Sequence, residues 1–139
     1  MIDTKQIVEG TCEWLDAQGL ATYKPGGVYA ANDKAATIKR LPSYPDNAVA
    51  VSLYSTQDAT VLPNATVRIQ LRFRAAKGSR TAVDEWADEV ASHLHWKRNL
   101  TLGAVKVARA ERINTAPMGA DDNGREERAD NYELILLTH

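Results

Sequence analysis

A chain of 139 residues, 44% apolar and 25% charged, fits one ordinary domain with one core, and disorder over its whole length is excluded. Its 17 basic and 18 acidic side chains nearly cancel, which argues against global attraction to nucleic acid or to an anionic membrane. Cys12 is alone, so no intrachain disulfide and no single-chain cysteine zinc site can form. The opening residues lack a signal-peptide pattern and no apolar run is long enough to span a bilayer. The expectation is a soluble single domain over 1–139.

Asp3 can cap a helix, with Gln6 as its capping-box partner. Ile7, Val8, Thr11, Trp14 and Leu15 recur at helical spacing and Gly19 suits a left-handed stop, so a helix is predicted from Thr4 to Gln18. From Leu20 to Asn47, Pro25-Gly26-Gly27, Asn32-Asp33, Pro42 and Pro45 punctuate the chain, leaving short extended pieces at Ala21–Tyr23 and Thr37–Lys39. Two readings stay open for this stretch: a binding surface, or a plain surface loop.

Ala48–Ser55 reads as a strand, followed by a turn containing Asp58, Pro63 and Asn64. Next, Val67, Ile69, Leu71 and Phe73 alternate with Arg68, Gln70, Arg72 and Arg74. A period of two puts the first four in the core and a basic row outside, on a strand antiparallel to the one before it. Thr81 can cap a second helix with Asp84 at the third position, and Val83, Trp86, Val90 and Leu94, helped by Ala87 and Ala91, form its buried stripe. Acidic residues early in this helix and His93, His95, Lys97 and Arg98 at its end complement the macrodipole. Two strands follow, roughly Val105–Asn114 and Arg128–Thr138, joined by a charged segment, Thr115–Asp130, expected to project as an arm. Tyr132–Leu137 is apolar on both faces, as in a central or covered strand. The order of elements gives an α+β domain: a mainly antiparallel sheet of four to five strands, two helices on one face, and long projecting loops.

Catalytic patterns are sparse. His93 and His95 point apart on a helix and lack a third ligand, and Cys12 falls on the core side of the first helix, where thiols are inert. Pro45-Asp46 followed by Gln70-Leu71-Arg72 outlines a metal-dependent nuclease, but Gln70 and Arg72 stand where a second carboxylate and a lysine are needed. No catalytic, metal or cofactor residue is assigned.

Charge is segregated. Arg68, Arg72, Arg74, Lys77 and Arg80 form a basic cluster, while Asp121, Asp122, Glu126, Glu127 and Asp130 outnumber Arg125 and Arg128 in the connecting arm. Three arrangements are compatible with this: ordinary solvated faces, a head-to-tail contact in which one copy's basic strand meets the next copy's acidic arm, or a basic row facing DNA within a ring.

Two stretches carry a family resemblance. The first is Gly19-Leu20-Ala21-Thr22-Tyr23-Lys24-Pro25-Gly26-Gly27-Val28-Tyr29, followed by Ile38 and Leu41-Pro42-Ser43-Tyr44-Pro45-Asp46. The second runs from Gly119 through Asp121, Gly124 and Arg125 to Asn131-Tyr132. Together with Val67–Arg74 and the helix ending in Leu94-His95, they resemble the tail terminator or minor capsid proteins of long-tailed bacteriophages, with Ala21 where that family commonly has glycine. The resemblance implies an architectural virion protein at the tail or neck, assembled in the host cytoplasm. It implies a homo-oligomeric ring, typically a hexamer, that caps the tail tube and meets a head-completion or connector protein, with DNA passing through its lumen. Subunit or DNA contacts are then expected at Arg68, Arg72, Arg74, Asp121, Asp122, Arg125, Glu126 and Glu127. The alternatives are a head-completion protein of the same assembly, or a DNA-binding or nuclease-like module using the Arg68–Arg80 strand.

Overall fold

The computed structural model describes residues 2–57 and 65–137. Eight elements follow in chain order: α1 (Thr4–Ala17), β1 (Ala35–Ile38), β2 (Ala48–Gln57), β3 (Thr66–Arg74), α2 (Ala82–Leu94), β4 (Arg98–Leu102), β5 (Val105–Ala120) and β6 (Glu126–Leu136). The strands form one sheet in the order β1-β2-β3-β6-β5-β4. It therefore has six strands, and it is mixed, because β1 runs parallel to β2 while every other pair is antiparallel. The turn expected around Asp58, Pro63 and Asn64 lies outside the described residues, as does Thr138.

The period-two strand folds as its alternation requires: Val67, Ile69, Leu71 and Phe73 are each at most 1% exposed. The stripes of both helices join them in one core, where Trp86 meets Phe73 edge to face at 5.1 Å and donates its indole N–H to the Leu20 carbonyl at 2.9 Å. β6 lies between β3 and β5, the central place that its two apolar faces called for.

α1 touches β4 at one end of the strand order and β1 and β2 at the other, so the sheet curls around it. Gly10 makes that approach possible, because a Cβ there would stand 2.5 Å from the Leu102 carbonyl carbon and 2.6 Å from the Gly103 nitrogen. β-bulges help the sheet bend. On β5, Ala108, Ile113 and Met118 are each an extra residue against β6, and Tyr54 is the extra residue of β2 against β3.

Local signals are met in different ways. Asp3 accepts from the Gln6 backbone N–H at 3.1 Å, and Gly19 stops α1 at φ +73. Gln6 does not close a capping box. Its amide bonds the Asp3 carboxylate at 3.2 Å and accepts from the Ala104 N–H at 2.8 Å, tying α1 to the turn after β4. Thr81 makes no side-chain cap; the Ser79 hydroxyl accepts from the N–H groups of Thr81 and Ala82 instead. Ala21 lies outside the positive-φ region, so the turn does not need glycine there.

The largest departure is the segment 115–130. It is no arm: β5 continues to Ala120 and β6 begins at Glu126, leaving a five-residue hairpin tip, Asp121–Arg125. Pro117 and Gly119 read as breakers, yet they flank the Met118 bulge, where proline and a left-handed glycine (φ +77) are tolerated. The irregular stretch after α1 is ordered by polar side chains. Lys24 and Asp33 pair at 2.9 Å, and the Tyr29 hydroxyl accepts from the Lys24 N–H and donates to the Ala36 carbonyl. Of the two extended pieces expected there, Thr22 makes one bridge to Ala35, and β1 occupies Ala35–Ile38.

Candidate assembly surfaces

The outer face of β3 meets the outer face of β6. Register places Arg68 opposite Glu133, Gln70 opposite Asn131, Arg72 opposite Ala129 and Arg74 opposite Glu127. Arg68 pairs with Glu133 at 3.1 Å, and Arg72 pairs with Glu127 at 2.6 Å. Gln70 donates to Asn131 at 3.2 Å, which in turn donates to Asn114 on β5 at 2.6 Å. The basic row and the acidic segment therefore meet across one sheet within one chain. Of the two charged sets read from the sequence, Arg72 and Glu127 pair with each other in this way, while Arg68 pairs with Glu133, which lies beyond the acidic segment.

Arg74 departs from the exposed row. It is 3% exposed, and its guanidinium donates to the Pro45 and Asp46 carbonyls at 2.7 and 2.8 Å. Burial lowers its pKa from the ordinary arginine value, and the Arg125 charge adds to this. Arg125, 8% exposed, reaches the same loop from the hairpin tip, donating to the Ser43 carbonyl at 3.0 Å and pairing with Asp46 at 3.2 Å. Asp121 shapes the tip. Its carboxylate accepts from the backbone N–H groups of Asn123 and Arg125 and pairs with the Arg125 guanidinium at 2.8 Å. The Arg125 N–H, first among these, holds the Asp121 carboxyl below its ordinary pKa. Two buried arginines thus hold the loop before β2, Arg74 from the end of β3 and Arg125 from the tip of the β5–β6 hairpin. Asp122 is exposed and Glu126 half-buried, and neither forms an ion pair among the described residues, nor do Lys77 and Arg80.

The polar residues of the nuclease outline are engaged within the fold. Asp46 serves Arg125, Gln70 serves Asn131 and Arg72 serves Glu127, so the outlined residues are structural pairs. Among the described residues no group of three or more His, Cys, Asp or Glu is placed to hold a metal. Cys12 is fully buried, and burial, with Glu13 and Glu9 nearby, pushes its thiol up to about 12.

The helix-side face holds a charge network that pattern reading missed. Arg128, 5% exposed, pairs with Asp130 at 2.8 Å, with Asp88 at 2.8 Å and with Asp84 at 3.1 Å, while Arg112 bridges Asp88 and Asp130. Thr115 donates its hydroxyl to Asp130 at 2.8 Å. Burial works against the Arg128 charge, but the hydrogen bonds to Asp130 and Asp88 outweigh it and raise its pKa. The network locks α2 to β5 and β6. The available signal was strand parity: Arg128 and Asp130 share the inward parity of Tyr132 and Leu134 and so need partners on α2.

Comparison with known proteins places this arrangement. A chain from a structure titled "Virion of native gene transfer agent (GTA) particle" shares the fold at a TM-score of 0.54 and 10% identity, over 72% of this chain and 77% of that one. No curated protein sequence matches. Residues 14–138 match the model of a family described as bacteriophage tail terminator protein. The chain, nearly all of it within that match, belongs to the bacteriophage tail terminator family, a family of structural virion proteins and not of enzymes.

Proposed function

We propose that this protein ends the phage tail: copies assemble into a ring, six in the reading we favour, that caps the tail tube and presents its other side to a head-completion or connector protein. The observation that carries the proposal is the family match over residues 14–138. The stapled surfaces fit it. A ring that stops a growing tube needs faces held in shape before the partner arrives, because ordering a loop on contact costs roughly 0.5–1.5 kcal/mol for each immobilised side chain. The Arg74 and Arg125 staples and the Lys24–Asp33 loop clasp order their segments in advance. DNA passage through the lumen belongs to the same proposal. So does a residual role of Arg68, Arg72, Asp122 and Glu126, which retain exposed or half-exposed side chains for contacts between copies.

The test is tube length. Tail-tube protein polymerising in vitro should give shorter tubes, capped at one end, when this protein is added in substoichiometric amounts. Tubes of unchanged length, with no density of this protein at their ends, would contradict the proposal.

A further inference from the structure

From Val90 to Ala110 the chain carries no Asp or Glu, while it carries Lys97, Arg98, Lys106 and Arg109. The fold gathers Lys97, Arg98 and Arg109 at the corner where α2 ends and edge strand β4 begins, with Lys106 opposite Thr101 near the other end of that strand. Register sets Arg98 directly opposite Arg109, and like charges facing across a ladder oppose each other. None of the four has an ion pair among the described residues, and the Arg109 Nε is buried without a hydrogen-bond partner. Trp96 stands in the same corner, 49% exposed, 5.0 Å beneath the Arg109 guanidinium and 5.2 Å from the His95 ring. Its φ is +65, a left-handed conformation that a bulky residue rarely adopts. Such strain persists where the surroundings hold it, and it is concentrated at functional sites. Here it displays an indole beside cations that form no ion pair, two residues before β4, whose outer edge pairs with no other strand among the described residues.

The complementary surface is on α1. Glu9, Glu13 and Asp16, spaced four and three residues apart, lie along one side of the helix. Glu13 and Asp16 are exposed, Glu9 is half-buried, and none forms an ion pair among the described residues. Neither set of charges satisfies the other within one chain, although α1 packs against β4. We infer that the Trp96–Lys97–Arg98–Arg109 corner of one copy docks on the Glu9–Glu13–Asp16 face of α1 in the next. This contact rests on the ring reading above and names the surfaces that would build it. Two different surfaces meet in each joint, which is the head-to-tail arrangement that propagates and closes into a ring.

The experiment measures association of the full chain at low salt by sedimentation or light scattering, with thermal unfolding as the check on folding. Lys97→Glu with Arg98→Glu should weaken association roughly tenfold or more, as should Glu9→Lys with Glu13→Lys, in line with charge-pair couplings at other interfaces. The chain carrying all four reversals should associate again. Trp96→Gly, which relieves the left-handed strain, should fold normally and still associate poorly. Wild-type oligomers untouched by these reversals would overturn this contact and leave the ring standing. A wild-type chain that stays monomeric at every concentration, with and without tail-tube protein, would overturn both. Reversals that leave association intact but abolish binding to duplex DNA would assign the corner to nucleic acid and overturn the inference.

Discussion

Arg72 on β3 and Glu127 on β6 form a 2.6 Å ion pair on the outer face of the sheet, with 42% of the arginine side chain and 12% of the glutamate exposed. Arg72 therefore supports the fold as well as facing solvent. Arg72→Glu sets two carboxylates against each other and should destabilise the chain by about 1–2 kcal/mol, at or above the upper end for exposed pairs because Glu127 is mostly covered. Exchanging both residues should recover most of the loss. Thermal unfolding of the two single variants and the exchange checks this. Unchanged stability in Arg72→Glu would show that the pair contributes nothing.

Arg128 holds a stronger position, because its removal leaves Asp130, 0% exposed, with a weaker set of partners. Arg128→Met should cost about 3–5 kcal/mol, the range for breaking one half of a buried pair. The same network predicts an acid limb. The hydrogen bond from Arg128 first, and that from Arg112 after it, lower the Asp88 pKa below its ordinary value near 3.8. A folded-state pKa lower than the unfolded one contributes stability above the unfolded value, and that contribution is lost as pH falls through the folded value. Unfolding midpoints measured from pH 7 downward should therefore drop below about pH 4. The drop should be shallower in Arg128→Met, and equal slopes in the two proteins would count against the network.

Gly10 is where a helix meets backbone. Gly10→Ala would raise intrinsic helix propensity, yet its Cβ would overlap Leu102 and Gly103, so α1 must shift away from β4. The expected outcome is destabilisation of about 1–3 kcal/mol, typical of overpacking, where an exposed helical site would gain. Calorimetry decides between the two signs.

Tyr132 gives the opposite kind of expectation. It is fully buried against the core, and its hydroxyl has no hydrogen-bond partner among the described residues. Tyr132→Phe removes an unsatisfied polar atom and should leave stability unchanged or raise it by about 1 kcal/mol. A clear fall in the unfolding midpoint would show that the hydroxyl is satisfied after all.

What the sequence made legible follows from how local each signal is. The alternation of Val67–Phe73 and the stripe of α2 report burial directly, and both strand and helix stand where that periodicity puts them. β4 was hidden because Arg98–Leu102 is only five residues long and follows immediately on a helix end rich in cations. β1 was half hidden because a four-residue parallel edge strand has little pattern to display. The hairpin was misread as an arm because Pro117, Gly119 and Gly124 signal turns when taken singly, while β5 absorbs the first two at a bulge. Of the charges that the sequence divides into two opposed sets, Arg68 and Arg72 stand on the outer face of β3, whereas Arg74 and Asp130 are buried. Which chain each set would meet depends on strand order, and β3 beside β6 is a non-consecutive pairing that composition does not encode.

The measurement that tests the central claim most directly is the solution mass of the purified protein by light scattering after gel filtration, alone and beside tail-tube protein, at low and high salt. A terminator should give one discrete oligomer, consistent with six copies, or a monomer converted to that oligomer by the tube protein, and the oligomer should weaken as salt screens its exposed contacts. A monomer under every condition, with or without the tube protein, would contradict the ring.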